Sequence, residues 1–215
     1  ICGRDAERLE AARSELGDVE TIVSDLGDPD APKALAAEVE ARLGGLSMLV
    51  NNAGVQKNYT LPKAPAEQVA ADAAWEIQVN LTSLVALTSA CMPMLKAAPE
   101  AAIVNVSSGL AITPKASAAV YCATKAAVHS FSQALRYQCE DEAATIRVFE
   151  ILPPLVETAM TEGRGSGKIS AAACADESIA GIERDRDEIP VGKTKLLAAI
   201  HRLAPGVAAR ILRDG

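Results

Sequence analysis

Residues 102–127 read AIVNVSSGLAITPKASAAVYCATKAA. A short apolar run ends on Ser107 and Ser108, and after a loop an Ala-rich segment of helical character carries Tyr121 and Lys125. Such a run suits a strand buried on both faces of a parallel sheet. In an open parallel sheet the carboxyl ends of the strands line the ligand crevice, so Ser108, thirteen positions before Tyr121, can meet a side chain of the following helix there. Tyr121 and Lys125 are four apart, which places both on one helix face. A phenol has a reference pKa of about 10. A cation within roughly 4–6 Å favours the phenolate. The pair is therefore a candidate proton donor and acceptor. Taken alone, the spacing also fits a surface Tyr beside a solvated Lys, and the serines also fit ordinary caps and turns.

The same alternation continues on both sides. It predicts a strand at Ile1 and Cys2, a helix over Asp5 to Leu16, and a strand from Glu20 to Ser24. DPDAP breaks the chain; Asp30 or its neighbours cap a helix towards Leu43, GG ends it, and SMLVNN forms the next strand. A long helix is expected from about Ala66 to Leu95, and TIRVFEIL is the strand after the Tyr121 helix. Strands alternating with helices predict an α/β fold with a parallel sheet flanked by helices on both faces. Beyond Pro153 the alternation is expected to stop. There residues 155–190, including TEGRGSGKISAAACADES, read as a mobile loop and helix region on the substrate side, before a helical tail from Val191. No repeat or linker divides the chain, so residues 1–215 are expected to form one domain.

With 49% hydrophobic and 23% charged residues, the 215-residue chain can bury a sizeable core. A net charge of -7 without a basic run argues against a nucleic-acid surface. Five cysteines lacking a CxxC pair point to reduced thiols and a cytoplasmic location. LTSLVALTSACMPML is interrupted by Pro93 and falls short of the roughly 18–20 apolar residues a membrane span needs. His129 and His201 lack a third ligand at metal spacing, so both read as packing or surface residues and no metal is expected. GRGSGK and VGKT do not complete a phosphate-binding loop.

Ser108, YCATK, LVNNAG at residues 49–54, VNLTS with Asn80, and ILPPLVET occur together in an order that resembles the short-chain dehydrogenase/reductase family along nearly the whole chain. The resemblance implies a Rossmann-type doubly wound sheet and a nicotinamide cofactor. It makes Tyr121 the catalytic acid or base, with Lys125 lowering its pKa and holding the nicotinamide ribose. Ser108 would orient the substrate carbonyl or alcohol, and Asn80 would support a proton relay. It assigns cofactor contacts to Asp25 and Leu26, to Asn52, Ala53 and Gly54, and to Pro153, Val156 and Thr158. Where NAD-specific relatives have a carboxylate, this chain has Gly3 and then Arg4, whose guanidinium suits a 2′-phosphate and favours NADP, with NAD possible. A homodimer or homotetramer is also implied, with LTSLVALTS and AAVHSFSQAL as candidate packing faces. PPLV and VGKTKLL resemble, more narrowly, DltE-like bacterial oxidoreductases.

Two departures stand out. The family's Gly-rich turn is missing from these residues and is expected before Ile1, in a stretch truncated from this sequence. Pro154 occupies a place where many relatives have Gly, which stiffens the loop. The expected activity is carbonyl–alcohol interconversion on a small-molecule substrate; Leu110, Ile112 and Val120 hint that it is apolar. The alternative is a catalytically silent protein of the same fold with a binding or structural role.

Overall fold

The computed structural model describes residues 1–213. Strands β1 (Cys2–Gly3) and β2 (Ile22–Val23) form one parallel pair. Strands β3 (Met48–Asn51), β4 (Ala101–Val106), β5 (Ile146–Leu152) and β6 (Glu188–Pro190) form a second sheet, parallel throughout, in the order β3-β4-β5-β6. Among the described residues β1 pairs only with β2 and β3 only with β4, and Val23, Met48 and Val50 are exposed beside these edges. Helices α1 (Ala6–Leu16), α2 (Ala31–Leu43), α3 (Ala66–Ile77), α4 (Ser83–Ala97), α5 (Gly109–Ile112) and α6 (Ala119–Glu142) alternate with the strands as expected for an α/β fold. Ile103, Val104 and Val148 are sealed on both sheet faces, which is why β4 and β5 are apolar without alternation.

Local chemistry sets the helix ends. The Asp5 carboxylate accepts from the backbone N–H groups of Glu7 and Arg8 at 3.1 Å each, and Gly44, at φ 72°, ends α2 in a left-handed turn. Asp30 makes no side-chain cap; instead the Asp28 carboxylate accepts from the Asp30 N–H at 3.0 Å.

Helices α3 and α4 join through a π-helical turn, Gln78–Thr82, into 32 continuous residues, Ala66–Ala97. Pro93 sits on the exposed side of α4 and does not end it, so by length and composition this helix suffices to cross a bilayer, unlike the expected interrupted run. Its buried Leu87, Cys91, Met94 and Leu95 pack with Leu49, Ile103 and Val148, the pattern of a core helix.

Regular structure does not stop at Pro153. After a loop tied by a Val156–Ile169 bridge come α7 (Ala171–Glu183) and then β6, which extends the sheet through Ile151↔Ile189. Helices α8 (Thr194–Leu203) and α9 (Pro205–Leu212) complete the described chain. The three-residue strand has no periodicity to detect; burial of Ile189 and Val191 against Ala102, Val104, Phe149 and Ile151 creates it.

Candidate active site

Because every strand pair is parallel, the strands of each sheet deliver their carboxyl ends to one edge. Ser107 and Ser108 follow β4 there. Ser108 is extended, at φ −172°, and caps α5 by accepting the Leu110 N–H at 3.1 Å, so the expected capping role is real. The same hydroxyl hydrogen-bonds the Tyr121 phenol. Both roles coexist, because a hydroxyl accepts at a lone pair while it donates its proton. Lys125, one turn beyond Tyr121 on α6 and 4% exposed, donates from Nζ to the Val106 carbonyl at 2.8 Å. Its Nζ lies 5.8 Å from the Tyr121 ring centroid.

Asn80 occupies the π-helical turn, a distortion often found at functional sites. Its Oδ1 accepts from the Val55 N–H at 2.7 Å, and its Nδ2 donates to the Val55 carbonyl at 2.9 Å and the Thr124 hydroxyl at 3.1 Å. It therefore clamps the loop after β3 to α6. A Cβ placed on Gly54 would stand 3.5 Å from both Asn80 Oδ1 and Lys125 Nζ. A side chain at this position would fill the space beside those two groups.

One expectation is reversed. Burial pushes the Tyr121 phenol up to about 12, against the lowering pull of the Ser108 hydrogen bond. Burial also lowers Lys125 to about 8, opposed by the Glu150 carboxylate. The ammonium is engaged by the Val106 carbonyl, and burial is the largest influence on the phenol.

The remaining predicted contacts lie along the same edge. Arg4 follows β1 with its guanidinium 5.8 Å from the Trp75 ring centroid, and Lys57 Nζ lies 5.4 Å from the same ring. Asp25 is exposed and accepts the Gly27 N–H at 2.9 Å, while half-buried Leu26 packs on the core. Gln78 Nε2 donates to the Leu26 carbonyl at 3.4 Å, tying this end of β2 to the long helix. Asn52 and Ala53 are exposed beside Gly54. The Pro153 carbonyl accepts the Gly109 N–H at 3.0 Å, Val156 pairs with Ile169, and the Thr158 N–H donates to Thr161 Oγ1 at 3.1 Å. Small residues, exposed polar groups and an Arg without an acidic partner among the described residues fit a dinucleotide laid across these strand ends.

A family model described as short chain dehydrogenase matches residues 1–168. The chain belongs to the short chain dehydrogenase family. It is 41% identical over 162 residues to the "Uncharacterized oxidoreductase DltE" of Bacillus subtilis (strain 168), covering 75% of this chain and 63% of that protein. This short chain dehydrogenase thus spans under two thirds of that relative's length. A solved short chain dehydrogenase of Burkholderia cenocepacia J2315, in complex with NADP, superposes with a TM-score of 0.83 at 24% identity, covering 99% of this chain and 85% of that one. The L-sorbose reductase of Gluconobacter frateurii, complexed with NADPH and L-sorbose, is 28% identical with a TM-score of 0.66, covering 74% and 60%.

Several polar residues of this short chain dehydrogenase escape a reading by motif. Glu150, in β5 and 1% exposed, accepts from the Ser107 hydroxyl and meets His129 Nδ1 at 2.7 Å, so His129 is no mere packing residue. Glu76, 0% exposed, accepts the Lys57 N–H at 2.8 Å through Oε1, while its Oε2 has no partner among the described residues. Asn51 donates to Asn105 Oδ1 at 2.9 Å, and Asn105 to Ser132 at 2.9 Å, a polar rung through the core. A lone polar residue inside an apolar strand, as in AIVNVS and TIRVFEIL, was the available signal. Leu110 lines a groove of about 720 Å³ with Ala119, Cys122, Ala123 and Ala126, on the face of α6 opposite Tyr121 and Lys125. Ile112 and Val120 do not line it.

Proposed function

We propose that this protein is an NADP(H)-preferring oxidoreductase that interconverts a carbonyl and an alcohol on a small, apolar molecule, with Tyr121 as proton donor and acceptor. The observation that carries this reading is the convergence of Ser108, Tyr121 and Lys125 where β4 meets α6 in a chain of this family. A bound nicotinamide cofactor would supply the hydride. With its phenol near 12, Tyr121 is protonated across neutral pH and ready to give its proton to the oxygen on which negative charge develops. Ser108 donates a hydrogen bond to that oxygen, and Lys125 offsets the charge left on the phenol. Asn80 holds the Val55 backbone, next to Gly54, against this centre.

Asp25, Leu26, Asn52, Ala53, Gly54, Pro153, Val156 and Thr158 hold the cofactor along the strand ends. Arg4, stacked on Trp75, receives the 2′-phosphate, which a carboxylate at that place would repel. The NADPH in the sorbose reductase relative supports this preference. Residues 155–190 border the substrate. The protein works in the cytoplasm as a homodimer or homotetramer. Leu84, Leu87, Val128 and Leu135 of the two candidate helices are buried within this chain, whereas Val85 on the outer side of the first is exposed, and a twin would meet that outer side.

The test is NADPH and NADH oxidation by the full-length protein over a panel of ketones and aldehydes, repeated with Tyr121→Phe. NADPH is expected to outperform NADH, and Tyr121→Phe to lower kcat/KM by about a hundred- to ten-thousandfold. Equal turnover by the Phe variant removes Tyr121 from the mechanism and favours the silent-protein alternative.

A further inference from the structure

Helix α6 presents Tyr121, Lys125 and His129 at successive turns of one face, and only the first two have a part in the chemistry proposed above. Lys125 binds the Val106 carbonyl, and the next residue, Ser107, donates to Glu150 Oε1. Glu150 Oε2 meets His129 Nδ1 at 2.7 Å, one turn beyond Lys125. Glu150 is thus bound both to the strand end that receives the ammonium and to the helix that carries it. We infer that Glu150 is a positioning residue of this site: fixed by Ser107 and His129, its buried carboxylate supplies the counter-charge that keeps Lys125 an ammonium ion.

A lysine 4% exposed loses the water that stabilises its charge, and burial accordingly lowers Lys125 to about 8. Its resolved opposing influence is Glu150, while the nearby Tyr121 is neutral at that pH. His129 faces Glu150 from α6 and Glu188 from β6, with Arg136 further along α6. The hydrogen bond to Glu150 raises His129 against its own burial, and both carboxylates add to the rise while Arg136 opposes it. When His129 takes up a proton, the pair becomes neutral and its hold on Lys125 weakens. His129, Glu150 and Glu188 also bring ligand atoms within 4.8 Å of one another. The separation of 2.7 Å between His129 Nδ1 and Glu150 Oε2 is that of a hydrogen bond.

The inference rests on the proposed role of Lys125, and its test reads the lysine directly. In full-length protein carrying isotope-labelled lysine, the Lys125 resonance is titrated in the parent, Glu150→Gln and His129→Gln. Glu150→Gln keeps the shape and removes the charge, so the Lys125 titration and the basic limb of kcat/KM are expected about one pH unit lower. His129→Gln breaks the same hydrogen bond but keeps the carboxylate, so Lys125 does not move to lower pH. An unmoved titration in Glu150→Gln, or an equal fall in His129→Gln, overturns the inference. Absence of carbonyl reduction in the parent overturns the proposed function alone, because the resonance still decides the role of Glu150.

Discussion

Glu76 shows at the residue scale how one buried oxygen carries a measurable cost. Burial raises its pKa, with Asp72 adding to the rise, while the Lys57 N–H bond and the Lys57 charge lower it. An acid whose folded pKa lies above its unfolded one destabilises the fold once deprotonated. The penalty is absent below the ordinary value of 4.5 and grows as pH rises through the raised one. Glu76→Gln keeps the Lys57 bond through its amide oxygen and removes the charge. It is expected to stabilise the protein by about 1 kcal/mol in mildly alkaline buffer and to match the parent near pH 4. Thermal unfolding at the two pH values checks this, and a lower melting point of the Gln variant at the higher pH contradicts it. Ser108, Tyr121 and Lys125 were legible because their spacing survives in one dimension. Glu76 was not, because nothing local in its helix distinguishes a buried acid from a solvated one; for Glu150 the apolar strand around it was the signal.

Elements show the same division. Helix α1 was readable from Asp5 and Leu16 because its cap is local, and the end of α2 was readable from Gly44. The α7–β6 unit was not, since Glu188–Pro190 is held by β5 and by helices α7 and α8 packed against it, rather than by any local pattern. A Cβ on Gly181 of α7 would meet Ile189 Cγ2 at 2.5 Å and Cγ1 at 2.8 Å, and Ile189 is itself buried against β5. Alanine gains about 1 kcal/mol over glycine in a helix. Overpacking a core contact costs about 1–3 kcal/mol. Gly181→Ala is therefore expected to lower the urea midpoint despite its better helix propensity; a raised midpoint means that α7 is free to lift from β6.

Across the whole molecule the two sheets differ in what holds them. Strands β4 and β5 pair on both sides under helices, whereas β1 and β2 share two residue pairs beside exposed Val23. Amide hydrogen exchange is expected to be slowest at Ile103, Val104 and Val148 and fastest among strand residues at Gly3 and Val23. Comparable protection in both sheets contradicts this ranking. The layout also puts Gly54, Ser108 and Tyr121, far apart in the chain, near the carboxyl ends of β3 and β4, and Arg4 at that of β1.

The sequence by itself determined the α/β alternation, the start of α1 at Asp5, the end of α2 at Gly44 and the Ser108, Tyr121 and Lys125 spacing, because periodicity, capping and turn chemistry act between near neighbours. Tertiary structure decided which charges lost their water: the raised phenol, the lowered ammonium, the Glu150–His129 pair and the unpartnered oxygen of Glu76. Desolvation depends on every segment packed around a group, and those segments come from distant parts of the chain.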